Sequence, residues 1–370
     1  MTVWLLAGLL AAPNVVFLSV DTLRADHLGC YGYEAPTSPH IDQLATRARL
    51  YEDCVCEAPL TGPSFGSMLT GLYPRLTGTT RNGLRMPEHV RSVAQAFHEA
   101  GYQTFCVQSN WTLKTKIFAM DRGFDVYDDE FHEKRWGLIK PERYAEDVTD
   151  RAFEHLEALD GDRPFFAWIH YSDPHAPYRV HKEFRPSGRP RFWQANEKKV
   201  VRKYDSEVAY TDAHIGRLLE RLPVEHTYIL FVADHGESLY EHDYLGHGRR
   251  IYQTGVHVPL MLIGPGIAAG RTNAPARCVD VASTLLGMGG LEPWAGMLGI
   301  DLLHEEPPAS RPRVIETYGG AVPKLPGARA LMADQPPQRQ GVLLEGWKLI
   351  LDELDCPELF HIPDDPMEEK

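Results

Sequence analysis

The chain of 370 residues is 43% apolar, 24% charged and 10% aromatic, the balance of a globular protein with a large buried core rather than of a disordered or fibrous chain. With 51 Asp and Glu against 38 Lys and Arg, the formal charge of −13 argues against a nucleic-acid partner, whose phosphates need a basic face. An anionic substrate would have to be held by a local cluster of metal, His and Arg acting at short range.

The opening segment, Met1 to Ala12, is apolar and ends in small residues ahead of Pro13, but it carries no basic leader. It reads either as a secretory signal, which would make the protein periplasmic or secreted, or as an apolar extension of the first strand in a cytoplasmic protein. About a dozen residues are too few to span a bilayer, so no transmembrane helix is expected. Six cysteines without a CxxC pair indicate neither a zinc ribbon nor a disulfide scaffold.

Apolar, β-branched or aromatic runs then recur at Val15 to Val20, Phe105 to Val107, Phe165 to His170, Tyr228 to Ala233 and Val258 to Ile263, and predict strands buried on both faces. Helical periodicity lies between them, at Ile41 to Ala48, Val90 to Ala100, Ala145 to Ala158 and Tyr204 to Leu222. The alternation predicts an α/β fold with a mostly parallel central sheet sandwiched by helices. Phe184 to Arg202, basic and aromatic, reads as a surface excursion. After Leu303 the Pro-rich EEPPASRPR reads as a linker, and Val314 to Glu316 and Gly341 to Leu351 as strands of a small antiparallel sheet. The expected division is an N-terminal extension over 1–13, a catalytic unit over 14–303 and a C-terminal α+β subdomain over 304–370.

In open α/β sheets polar chemistry collects at the carboxyl ends of the strands. Here those ends deliver Asp21; Gln108, Ser109 and Asn110; Asp173 and His175; and Asp234 with His235. Any one alone is more often a cap or turn residue. Together, two carboxylates and a His suit Mg²⁺, Ca²⁺, Mn²⁺ or Zn²⁺. Asn110 is expected on the substrate side of such a site. A nucleophile is offered by Ala58 to Gly71, whose hydroxyls precede a plausible helix with Pro63 in its first turn; Thr61 is expected near the N-cap, beside N–H groups that can receive an anionic oxygen. From this segment alone, simple capping by Thr61 or Ser64 is the plainer reading.

In order and spacing, several blocks resemble the sulfatase family of the alkaline phosphatase superfamily. NVVFLSVDTLRADHLGCYGY is similar to its first strand and helix, TGPSFGSMLTGLYPRLTG to its nucleophile segment, and HYSDPHAPY to a middle block. ADHGESLYEHDYLGHGRR resembles its second metal-binding block, and GWKLILDELDCPELFHIPDDPMEE its closing strand pair. The resemblance implies an alkaline phosphatase-like fold in which Asp21, Asp234, His235 and the Thr61 oxygen bind one divalent ion. It places His175 and His247 at the ester and its leaving group, and Asn82 as a donor to the transferred group.

Three departures stand out. Thr61 replaces the Cys or Ser that sulfatases oxidise to formylglycine, and Phe65 replaces the Arg of the C/S-x-P-x-R pattern, so no formylglycine is expected. Thr22 stands where a second Asp is usual, and His247 where many sulfatases carry Lys. Threonine has no second hydroxyl on its β-carbon to expel sulfate by elimination. A metal-dependent phosphodiesterase or phosphatase working through a covalent Thr61 ester is therefore the favoured reading, with a small-molecule, sugar or lipid-headgroup ester as substrate. The alternatives are a sulfuric ester hydrolase without formylglycine and a catalytically silent binding module.

Overall fold

The computed structural model describes residues 12–131, 142–185, 195–352 and 357–370; the opening apolar segment up to residue 11 and much of the expected surface excursion lie outside these. The β-branched and aromatic runs pair into an eight-stranded sheet. Its order is Gly270–Thr272, Arg49–Tyr51, Leu260–Ile263, Thr227–Ala233, Asn14–Val20, Phe165–Tyr171, Gln103–Val107, Val126–Asp128. Leu260–Ile263 runs antiparallel to both its neighbours, and every other pairing is parallel. The short strands Arg49–Tyr51, Val126–Asp128 and Gly270–Thr272 escape sequence periodicity because three residues are too few to display a period of two.

Helices pack in two separate groups, Pro39–Ala45 with Ala145–Glu157 and Ala195–Arg221, and Thr61–Thr70 with Val93–Glu99 and Asp280–Met288. Every residue of Phe165–Tyr171 is buried, as a strand covered on both faces must be. The long helix begins at Ala195 rather than Tyr204, so the end of the expected surface excursion is helical. Its apolar stripe explains the difference: Val201 is buried in step with Tyr204 and Val208 and extends the packed face toward the N-terminus. Among the described residues no helix is long and apolar enough to cross a membrane.

Beyond the central sheet, Arg313–Thr317, Arg339–Leu344, Trp347–Asp352 and Glu358–His361 form a four-stranded antiparallel sheet. Its middle hairpin turns at Glu345 and Gly346, whose φ values of 48° and 84° match the left-handed pair a two-residue hairpin requires. The Pro-rich stretch leading to it is fastened by Arg311, whose two terminal nitrogens lie 2.8 and 2.7 Å from the Asp280 carboxylate.

Trp168, fully buried, stacks on Phe17 at 5.8 Å between centroids and lies 4.9 Å from Phe65, so it links the central strands to the helix Thr61–Thr70. Trp168→Ala should cost about 3–5 kcal/mol in urea denaturation, through lost burial and the cavity left behind. A loss below about 1 kcal/mol would show that this aromatic cluster does not anchor the sheet.

Candidate active site

Parallel pairing brings the carboxyl ends of four adjacent strands, Thr227–Ala233, Asn14–Val20, Phe165–Tyr171 and Gln103–Val107, to one edge of the sheet. There Asp21, Asp234 and His235 converge, with candidate ligand atoms all within 4.8 Å of one another and no solvent exposure. His235 Nε2 lies 3.4 Å from Asp234 Oδ2 and 3.8 Å from Asp21 Oδ1. Its Nδ1–H donates to the Gly236 carbonyl at 2.8 Å, which leaves the Nε2 lone pair turned to the carboxylates.

Asp234 Oδ1 accepts from the Thr22 and His235 amides at 3.0 and 2.8 Å, whereas among the described residues Asp234 Oδ2 and Asp21 Oδ1 have no hydrogen-bond donor. Two such buried oxygens beside an imidazole lone pair are costly alone. As a donor set they fit one hard or borderline divalent cation. Thr22 contributes no further ligand from the position of the missing second Asp. Its backbone is left-handed, at φ 56°, which aims its N–H at Asp234, and its hydroxyl donates back to the Asp21 carbonyl at 2.8 Å.

Burial dominates the electrostatics. It pushes the Asp21 carboxyl well above its ordinary range, with Asp234 adding to the rise, and it pushes Asp234 up to about 7. The same desolvation holds His235 well below the usual imidazole value.

Thr61 opens the helix Thr61–Thr70 one position inside the expected cap, is almost fully buried, and sets its Oγ1 3.5 Å from His235 Nε2. The next amide, Gly62 N–H, donates to Asn82 Oδ1 at 2.7 Å, so Asn82 fastens the helix start. Ser64 turns away from the cluster and donates to the Asp234 carbonyl at 2.6 Å. His247 and His175 stand alongside, the His247 ring 4.6 Å from that of His235 and 5.1 Å from that of His175.

Asn110 differs from expectation. Its Oδ1 accepts from the Thr112 amide at 2.8 Å and its Nδ2 donates to Asp21 Oδ2, so both polar atoms are engaged within the protein and the residue orients an Asp21 oxygen. A buried amide satisfies its nearest partners first.

Two residues at the site, Glu237 and His170, were missed in the sequence. Glu237 accepts from His247 Nδ1 at 2.8 Å and from the Tyr178 hydroxyl at 2.6 Å. Burial works to lower the His247 pKa, but the Glu237 carboxylate outweighs it and the net shift is upward. His170, fully buried, places Nε2 3.9 Å from Asp21 Oδ2, and burial holds it down to about 3. Phe65, at the position of the missing Arg, packs edge-on to His170 at 4.8 Å. Position two beyond His235, and membership of the same strand end, were the signals available for Glu237 and His170.

The raised carboxyl pKa values fix a sign. A folded state that holds a proton the unfolded chain has released loses stability as pH rises, here from about 4 to about 7 at Asp234. In chelator, the melting temperature of the wild type should fall across that window, and less so in Asp234→Asn. Added Mn²⁺, Ca²⁺, Mg²⁺ or Zn²⁺ should restore it more at about pH 7.5 than at about pH 5, because a cation and a proton compete for the same oxygens. Absence of any cation effect on melting would contradict the ligand set.

Comparison with known proteins gives the same picture. The pattern that defines the sulfatase family matches residues 13–291. The ulvan-active sulfatase of Formosa agariphila is 28% identical over 363 residues, 85% of this chain and 70% of that protein. The choline-sulfatase of Rhizobium meliloti is 22% identical over 425 residues, 96% of this chain and 81% of that one. The phosphonate monoester hydrolase of Agrobacterium radiobacter, 19% identical, superposes with a TM-score of 0.77 over 96% of this chain and 90% of its own. A match that spans the whole central sheet and the cluster of Asp21, Thr61, Asp234 and His235 shows that the chain belongs to the sulfatase family of the alkaline phosphatase superfamily.

Proposed function

We propose that the chain is a divalent-cation-dependent ester hydrolase in which Thr61, unmodified, is the nucleophile. The observation that supports this most is the Thr61 hydroxyl at a helix start, 3.5 Å from His235 Nε2, beside two buried carboxylate oxygens that no donor satisfies. Sulfatases of this family generally bind a divalent metal, and here Asp21, Asp234, His235 and the Thr61 oxygen would hold it. Once bound, the cation supplies Lewis-acid chemistry, acidifying a hydroxyl and neutralising an oxygen of the ester.

The chain's own groups do the rest. Thr61 Oγ1, deprotonated, attacks the phosphorus or sulfur and forms a covalent ester as the bond to the leaving oxygen breaks. That oxygen takes its proton from His247, whose Nδ1–H is held by Glu237, so that Nε2 is the atom that gives the proton up. In the second half, the neutral imidazole removes a proton from the incoming water, which releases the transferred group and restores Thr61.

Phosphoric or phosphonic esters fit this site best, because threonine cannot release sulfate by the elimination open to a formylglycine hydrate. The phosphonate monoester hydrolase among the similar structures is consistent with that preference. Sulfate esters of sugars are the second reading, favoured by relatives named for ulvan and choline sulfate ester cleavage.

Turnover of p-nitrophenyl phosphate, bis-p-nitrophenyl phosphate and p-nitrophenyl sulfate, with and without chelator, separates these readings. Cation-dependent turnover is expected, greater on the phosphorus esters. Thr61→Ala should lower it at least about 10³-fold, while Thr61→Ser keeps part of it. His247→Ala should cost about 10²-fold on an alkyl ester and less on p-nitrophenyl esters, whose leaving group needs no proton. A sulfate preference would favour the second reading, and no turnover of any ester would point to a silent binding module.

A further inference from the structure

Among the described residues, Arg81 is a buried charge without a counter-charge. Its residue exposure is 5%, and among the described residues its guanidinium makes no hydrogen bond or ion pair, while its backbone carbonyl accepts from the Leu84 amide at 3.2 Å; its Nε is fully enclosed without a partner. The other buried arginines of the described residues all sit on carboxylates: Arg24 on Asp26 and Glu241, Arg143 on Asp128, Arg277 on Asp280 and Arg313 on Asp53. A carboxylate of the adjoining strand, Glu316, is already engaged by Arg75 and the Tyr318 hydroxyl. Guanidinium does not shed its proton in proteins, so Arg81 cannot escape the cost of burial by becoming neutral. Its burial holds its pKa below the usual arginine value, which measures that cost.

Its surroundings belong to the site. The next residue, Asn82, holds the amide of Gly62 beside Thr61, and its carbonyl accepts from the Val322 amide at 2.9 Å. Arg81 Nη1 lies beside Gly319, where a β-carbon would stand 3.2 Å from it and 2.7 Å from the Gln338 side-chain oxygen, so Gly319, at φ 83°, leaves room for both side chains to meet there. Two residues earlier, the Thr317 hydroxyl donates to the carbonyl of Gly248, the neighbour of His247. The guanidinium therefore lies between the segment that carries the nucleophile and a loop fastened to the segment that carries the acid, and not within the group of Asp21, Asp234 and His235.

From this placement we infer that Arg81 is a specificity-determining residue that receives a second oxyanion of the substrate, carried on the leaving group and distinct from the ester that is cleaved. The planar fork of arginine suits a sulfate or carboxylate bound by two parallel hydrogen bonds, and burial of the guanidinium makes such a bond stronger. The substrate class is then a multiply charged ester, such as a sugar with a further acidic substituent. This inference rests on the ester-hydrolase reading for its substrate, but its test has readouts of its own.

Titration calorimetry of the metal-loaded protein with glucosamine 2-N,6-O-disulfate and with N-acetylglucosamine 6-O-sulfate compares two sugars that differ by one oxyanion. The wild type should prefer the disulfate by roughly 10- to 100-fold, Arg81→Gln should lose that preference, and Arg81→Lys should recover part of it. Equal affinities in the wild type, no binding of either sugar, or an equal loss for both in Arg81→Gln would overturn the inference. Thermal melting without ligand is an independent second measurement. Removing an unpaired buried charge should raise the melting temperature of Arg81→Gln and Arg81→Met, and a fall in both would mark Arg81 as a structural residue and overturn the inference equally. Discrimination between the sugars without turnover of any p-nitrophenyl ester would leave Arg81 in place and refute the hydrolase reading alone.

Discussion

Two carboxylates, Asp21 and Asp234, are buried at one edge of a mostly parallel sheet, each with an oxygen that no donor among the described residues satisfies, and the architecture around them serves that placement. Their strands are hydrogen-bonded neighbours, which fixes their separation, and the backbone amides of Thr22 and His235 hold one oxygen of Asp234 so that the other is presented. A pair of like charges in a dry site is unstable by itself and raises its own proton affinity. A divalent cation would relieve that cost, and the Thr61 hydroxyl lies 3.5 Å from the third member of the donor set, His235 Nε2.

Around this centre the family pattern has been rebuilt rather than thinned. The position of the Arg in the nucleophile motif carries Phe65, which packs on His170 and Trp168 and closes the floor of the site with aromatic rings. The position of the second Asp carries Thr22, which supplies a backbone amide instead of a ligand. The ammonium of many sulfatases gives way to a His247–Glu237 pair, a group able both to donate and to accept a proton. These changes accord with the proposal that Thr61 is the nucleophile and is relieved by water attack in place of elimination.

Much of this was legible in the sequence, for physical reasons. Uninterrupted apolar runs mark buried parallel strands, and a polar residue directly after such a run stands at the sheet edge, so Asp21, Asp234 and His235 could be grouped before any contact was known. The same rule placed Asn110 at the edge but not the direction of its amide, because that is decided by Asp21 and Thr112 lying within reach. His170 and Glu237 were hidden because a strand histidine and a loop glutamate acquire a role only through neighbours distant in sequence or pinned by a turn. Arg81 was hidden more completely: in a sequence an unpaired arginine and a paired one look alike, and only packing separates them.

The most direct measurement is the mass of the enzyme quenched during turnover of a phosphodiester, followed by mapping of the modified peptide. The account predicts an adduct of the transferred group on the peptide that contains Thr61, in a protein whose resting mass shows Thr61 unmodified, and no such adduct in Thr61→Ala. An adduct on Ser64, or brisk turnover that survives in Thr61→Ala, would contradict it.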